Sequence, residues 1–118
     1  MRAIAALVFL LALAPAQADN HEEQIEYLLT AVGKSDCVFI RNGKEHSAED
    51  AEDHLRMKYR RGKKYVSSTE TFVKRIATKS SMSGKRYQIR CAGEDTMPTA
   101  EWLQAKLEEL HGENQPQQ

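Results

Sequence analysis

Residues 1–18 decide how much of this chain is left to fold. Arg2 precedes an apolar run from Ala3 to Ala14, followed by Pro15 and the small-residue pattern Ala16-Gln17-Ala18. A charged start, a short apolar core and small residues at the −3 and −1 positions predict a secretory leader cleaved after Ala18. The run is too short to be read first as a membrane span. No cysteine follows the cleavage point directly, so a lipid anchor is not expected, nor is a transmembrane anchor in the mature chain. The expected place of work is outside the cytoplasm.

That location governs the two cysteines, Cys37 and Cys91, both in the mature part. In an oxidising compartment their default state is paired. About 100 mature residues form one modest core at most, which a covalent staple would help. Closing the loop from 37 to 91 is worth roughly 4 kcal/mol of chain entropy. Free redox-active thiols are the rival reading, but no Cys-x-x-Cys supports it.

The hydrophobic pattern supplies the rest of the frame. Residues 20–33 read as a helix: Asn20 and Glu23 have capping-box spacing, Ile25, Leu28, Leu29 and Val32 fall in one stripe, and Gly33 is the expected stop. Residues 37–41 read as a strand buried on much of both faces, and Asn42-Gly43 turns the chain. A second helix runs from the N-cap Ser47 to about Arg61, with Ala48, Ala51, Leu55 and Tyr59 inward. A third begins at Ser67 with Glu70 at capping-box spacing, burying Phe72, Val73, Ile76 and Ala77. Tyr87, Ile89 and Cys91 alternate with polar residues, as in a half-buried strand. A fourth helix spans about Thr99 to His111, with Leu103, Leu107 and Leu110 inward and Gly112 as its stop. Setting the two strands antiparallel puts Cys37 opposite Cys91, Phe39 opposite Ile89 and Arg41 opposite Tyr87.

The fold class so predicted is α+β: about four helices packed on a short antiparallel strand pair, with one disulfide. The expected boundaries are a leader at 1–18, a small domain at 19–112 and a disordered polar tail at 113–118.

Equal numbers of acids and bases conceal strong segregation. Residues 56–90 hold twelve bases and one acid, while residues 19–55 hold ten acids and three bases. A middle third this basic predicts an anion-facing surface built on Arg56, Arg60, Arg61, Lys63 and Lys64. Its bland counterpart is a solvated helix whose bases suit its own C-terminus, and the two readings carry equal weight. Secreted context argues against nucleic acid as the partner. An anionic envelope component or an acidic protein fits better.

Other motifs weigh less. Ser80-Ser81-Met82-Ser83-Gly84-Lys85 ends like a phosphate loop but lacks its leading glycine and the Ser or Thr after lysine, so nucleotide binding is rejected. His21, His46, His54 and His111 form no His-x-x-x-His pair, and no metal or cofactor is expected. His54 shares one flank of the second helix with Asp50, Lys58 and Arg61. No activated-serine context such as Gly-x-Ser-x-Gly is present, so no catalytic residue is assigned.

Several segments taken together are distinctive: Phe39-Ile40-Arg41-Asn42-Gly43-Lys44-Glu45-His46-Ser47, His54-Leu55-Arg56-Met57-Lys58, Phe72 with Ile76-Ala77, and Ser80 to Lys85 with Tyr87. In order and spacing the chain resembles the YfeK-like family of small bacterial periplasmic proteins of unknown function, over roughly Ile25 to Leu110. The resemblance implies a Gram-negative periplasmic address and brings no activity or catalytic residue with it. The expected function is that of a non-enzymatic periplasmic binding or accessory protein. The alternative is a small envelope hydrolase or transferase using His54 and the Ser80–Ser83 loop. Convergence of His54, Lys58, Ser80 and Ser81 in one roomy cavity would favour the alternative.

Overall fold

The structure is a computed structural model and describes residues 20–114. The expected leader at 1–18, with its cleavage point, and residues 115–118 of the expected tail lie outside the described residues.

Helix α1 spans His21–Lys34 and buries Ile25, Leu28, Leu29 and Val32, the stripe predicted from their spacing. Its two expected end signals act differently. Asn20 caps through its backbone: the Gln24 N–H donates to the Asn20 carbonyl at 3.0 Å, and the Asn20 side chain makes no cap bond. Gly33 lies inside the helix rather than after it. A Cβ there would stand 1.7 Å from Glu52 Oε1, so Gly33 is where a neighbouring helix comes close. The left-handed residue just past the helix is Asp36, at φ 55°.

Strand β1 (Val38–Arg41) turns through Asn42 and Gly43, both at positive φ, into β2 (Lys44–His46). Two successive left-handed residues match the twist of a two-residue hairpin, which is why Asn-Gly suits the turn. Helix α2 (Ala48–Gly62) follows, with the Ser47 hydroxyl accepting from the Asp50 N–H at 3.1 Å. A short 3-10 turn (Lys63–Tyr65) leads to α3 (Thr69–Arg75). The α3 cap is Ser68, one residue beyond the expected Ser67, because Ser68 has the extended backbone that lets its hydroxyl accept from Thr71 N–H. Strands β3 (Gln88–Arg90) and β4 (Met97–Pro98) precede α4 (Thr99–Asn114), which runs through Gly112 instead of stopping there.

The fold is α+β: four helices and an antiparallel sheet of order β2-β1-β3-β4. The sheet is twice the expected strand pair, with β2 and β4 added at its edges. The central register is the predicted one, Phe39 opposite Ile89. Cys37 and Cys91 are bonded just beyond it, with Cα atoms 4.2 Å apart.

The helices cover one face of the sheet. Phe39, Tyr87 and Ile89 face them and are buried, whereas Val38 and Ile40 are only half-buried. β1 is therefore buried on one face, not on both. The core joins Leu28, Leu55, Phe72 and Leu103 from the four helices to those strand residues. Trp102 enters it beside Leu103 and Leu107, while Leu110 packs only at its edge. Arg56 of α2 grips Glu26 of α1 with both terminal guanidinium nitrogens at 2.8 Å and holds Glu52 through Nε at 2.7 Å. The guanidinium hydrogen bonds hold the Glu26 carboxyl below its ordinary range and push Arg56 above its own.

Candidate functional site

Four residues of α2, His54, Met57, Lys58 and Arg61, recur at helical spacing and share one face. That face forms a wall of a cleft of about 430 Å³. Arg41 reaches it from the end of β1 and Asn42 from the turn, Arg75 and Ile76 from the end of α3, and Ser80, Ser81 and Met82 from the loop that follows. Tyr87 lines it from the strand side, 1% exposed.

The loop is held in place by its own hydrogen bonds. Ser80 N–H donates to the Lys85 carbonyl at 2.9 Å, and Gly84 N–H donates to the Ser80 carbonyl at 2.9 Å. Ser83 donates its hydroxyl to Asn42 Oδ1, which ties the loop to the hairpin turn. Lys58 Nζ reaches across and donates to the Lys79 carbonyl at 2.9 Å. Gly84, at φ 72°, occupies a left-handed position that a side chain would strain.

A polar chain runs along the wall of the cleft. Lys58 Nζ donates to Tyr87 Oη at 2.9 Å, and Tyr87 Oη lies 3.2 Å from His54 Nε2. An ammonium has only protons to give. The Tyr87 hydroxyl, accepting from Lys58, keeps its own proton free to donate to a neutral His54 Nε2, an arrangement that requires the His54 proton on Nδ1. Burial, then the charges of Arg41, Lys58 and His46, push His54 down to about 4, so it is neutral at pH 7. Burial and Arg41 lower Lys58 to about 8. Burial pushes the Tyr87 phenol up, partly offset by Arg41.

Two consequences can be measured. Tyr87→Phe removes the shared partner of Lys58 and His54 and is expected to cost about 1–3 kcal/mol in thermal unfolding at pH 7. The unfolded chain binds a proton at His54 below about 6.5, whereas the folded chain does so only below about 4. Stability should therefore rise with pH across that window. An NMR titration should keep the His54 ring neutral down to about pH 4. A ring that titrates near 6.5 would contradict the buried chain.

The cleft carries four basic side chains, Arg41, Lys58, Arg61 and Arg75, and no acidic one. Among the described residues the side chains of Arg41, Arg61 and Arg75 have no ion-pair or hydrogen-bond partner. Of the five residues singled out from the sequence for an anion surface, only Arg61 lines the cleft. Arg56 is spent on Glu26 and Glu52, and Lys63 lies 3.4 Å from Glu22. Lys64 lies over the Tyr65 ring, and Arg60 is exposed on α2 outside the cleft.

His54, Lys58, Ser80 and Ser81 do share the cleft. No serine is hydrogen-bonded to His54 among the described residues, however, and the Ser80 hydroxyl accepts from the Ser83 N–H at 3.3 Å. Sequence reasoning missed Arg41, Met57 and Tyr87. The 54-57-58-61 spacing on one helix was a usable signal for Met57. Nothing local marked Arg41 or Tyr87. Among the described residues no three His, Cys, Asp or Glu gather as a metal site, and no helix is long and apolar enough to cross a membrane.

Fold and cleft together define a small disulfide-bonded α+β protein with a basic, acid-free cleft between a helix face and a serine-rich loop. The chain belongs to a family of unknown function, DUF5329, which matches residues 19–111. It is similar to the uncharacterized protein YfeK of Salmonella typhimurium (strain LT2), with 39% identity over 88 residues, covering 71% of this chain and 73% of that protein. No solved structure matches the chain.

Proposed function

We propose that this protein is a non-enzymatic binding protein of the bacterial periplasm that holds the anionic group of an envelope component in the Arg41–Arg75 cleft. The observation that carries the reading is the gathering of four basic side chains from three separate segments around one cavity that no carboxylate enters. Like charges brought together without counter-charges raise the energy of the empty cleft, and an anion relieves it. The leader-like start and the disulfide support the address.

Calorimetric titration with inorganic phosphate and pyrophosphate tests the binding. Affinity should fall as salt rises. It should also fall as pH climbs through about 8, where Lys58 loses its charge. No binding at low salt, or binding indifferent to salt, overturns the reading. Recovery from the periplasmic fraction with Asp19 as first residue supports the address; an intact Met1 in the cytoplasm refutes it.

The convergence of His54, Lys58, Ser80 and Ser81 favours a second reading, a small envelope hydrolase or transferase. It ranks below the first because His54 faces Tyr87 rather than a serine. Turnover of chromogenic acyl or phosphate esters that is lost in Ser80→Ala or Ser81→Ala would reverse that order.

A further inference from the structure

The basic groups are only part of the cleft. Met57, Ile76 and Met82 line it as well, and Met82 is 98% exposed at the tip of its loop. Its loop is held by the hydrogen bonds of Ser80, Ser83 and Gly84, which present Met82 at the rim of the cleft. We infer that the cleft takes a single phospholipid-like molecule, its phosphate against the arginines and the start of an acyl chain along Met57 and Met82. The inference rests on the anion-binding reading and names the ligand class for it.

Three features point to this class. The cleft volume, about 430 Å³, falls in the range of small-molecule sites, roughly 300–1,000 Å³, rather than that of a bare ion. Three arginines offer flat donor forks that match phosphate oxygens bidentately. The apolar lining is mainly thioether, which is flexible and adapts to a chain without fixed shape. A nucleotide fits less well, because the one Phe, Tyr or Trp ring lining the cleft, Tyr87, is 1% exposed and offers no stacking face.

The test compares inorganic phosphate, glycerol 3-phosphate and monomeric dioctanoyl phosphatidic acid by titration at one salt and pH. Each methylene buried adds about fourfold to affinity. Dioctanoyl phosphatidic acid should therefore bind at least about tenfold tighter than glycerol 3-phosphate, with two or three methylenes buried. Met82→Ser, and more so Met57→Ser/Met82→Ser, should bring it down toward the glycerol 3-phosphate value, a larger loss than either variant causes for phosphate. Met82 is fully exposed, so its single variant keeps the folded core intact. Equal affinity for all three ligands, or an acyl gain that survives Met82→Ser, overturns the lipid inference and leaves anion binding standing. If none of the three binds, both readings fall together. Binding only to long-chain phosphatidic acid vesicles, with no binding of the dioctanoyl monomer, shows a membrane surface as the partner and also overturns the inference.

Discussion

Replacing Cys37 and Cys91 together by alanine is expected to cost about 2–5 kcal/mol of stability, the usual range for a bridge removed from a small secreted domain. At this chain length that corresponds to a melting temperature lower by on the order of 10–30 °C. The bond joins the residue just before β1 to the residue just after β3, 54 positions apart. It lies just beyond the β1–β3 ladder, whose partners are Val38 with Arg90, Phe39 with Ile89 and Ile40 with Gln88. β1 and β3 are four and three residues long, so backbone pairing alone holds them weakly. Cys37 is also 5% exposed and belongs to the apolar core, so alanine removes contacts as well as the bond. Wild-type protein treated with reductant separates the two effects, since it loses the bond and keeps the sulfur atoms. A melting temperature unchanged by both treatments would show that the ladder holds by itself.

The charge reversal Arg41→Glu/Arg75→Glu is expected to weaken phosphate binding by about a hundredfold or more, since each hydrogen bond to a charged group contributes about 1.5–3 kcal/mol. Neither arginine has an ion-pair partner among the described residues, so the reversal breaks no existing bridge. Arg41 also helps to depress both His54 and Lys58. Reversing its charge should therefore raise the His54 value from about 4, which an NMR titration reads independently of ligand. Arg56→Glu is the informative contrast. It sets three carboxylates together at the α1–α2 contact, where Arg56 now grips Glu26 and Glu52. Stability should fall there with little change in phosphate binding per folded molecule. Binding lost in Arg56→Glu and kept in Arg41→Glu/Arg75→Glu would move the anion site to the outer face of α2.

Much of the frame was legible because it is set by spacing. The 37-39-41 and 87-89-91 alternations fixed the sheet centre and its register, and the same alternation brought the cysteines together. Helices α1, α2 and α4 followed from apolar residues three and four apart. The edge strands were not legible. Lys44-Glu45-His46 carries no apolar alternation, and only backbone pairing to β1 makes it a strand. Met97-Pro98 reads as the lead into a helix, yet it pairs with Ile89 and Gln88. Gly33 reads as a stop by its residue type and is instead a close approach to Glu52, a contact 19 positions away that no local pattern shows.

The site divides in the same way. By itself the sequence determined that the middle third is basic, that His54, Lys58 and Arg61 share a helix flank, and that a serine loop follows α3. Only the tertiary structure decided which bases are free. Arg56 met a carboxylate from α1 and was neutralised, whereas Arg41 and Arg75, far apart in the chain, met each other's cleft and no acid. Tyr87 joined Lys58 to His54 only once β3 had been laid against β1 and α2 across them. Hydrophobic spacing is a local property that a folded chain must obey, so it can be read from neighbours in sequence. The pairing of a charge depends on which distant side chain arrives within a few ångströms, and that distance exists only in the folded molecule.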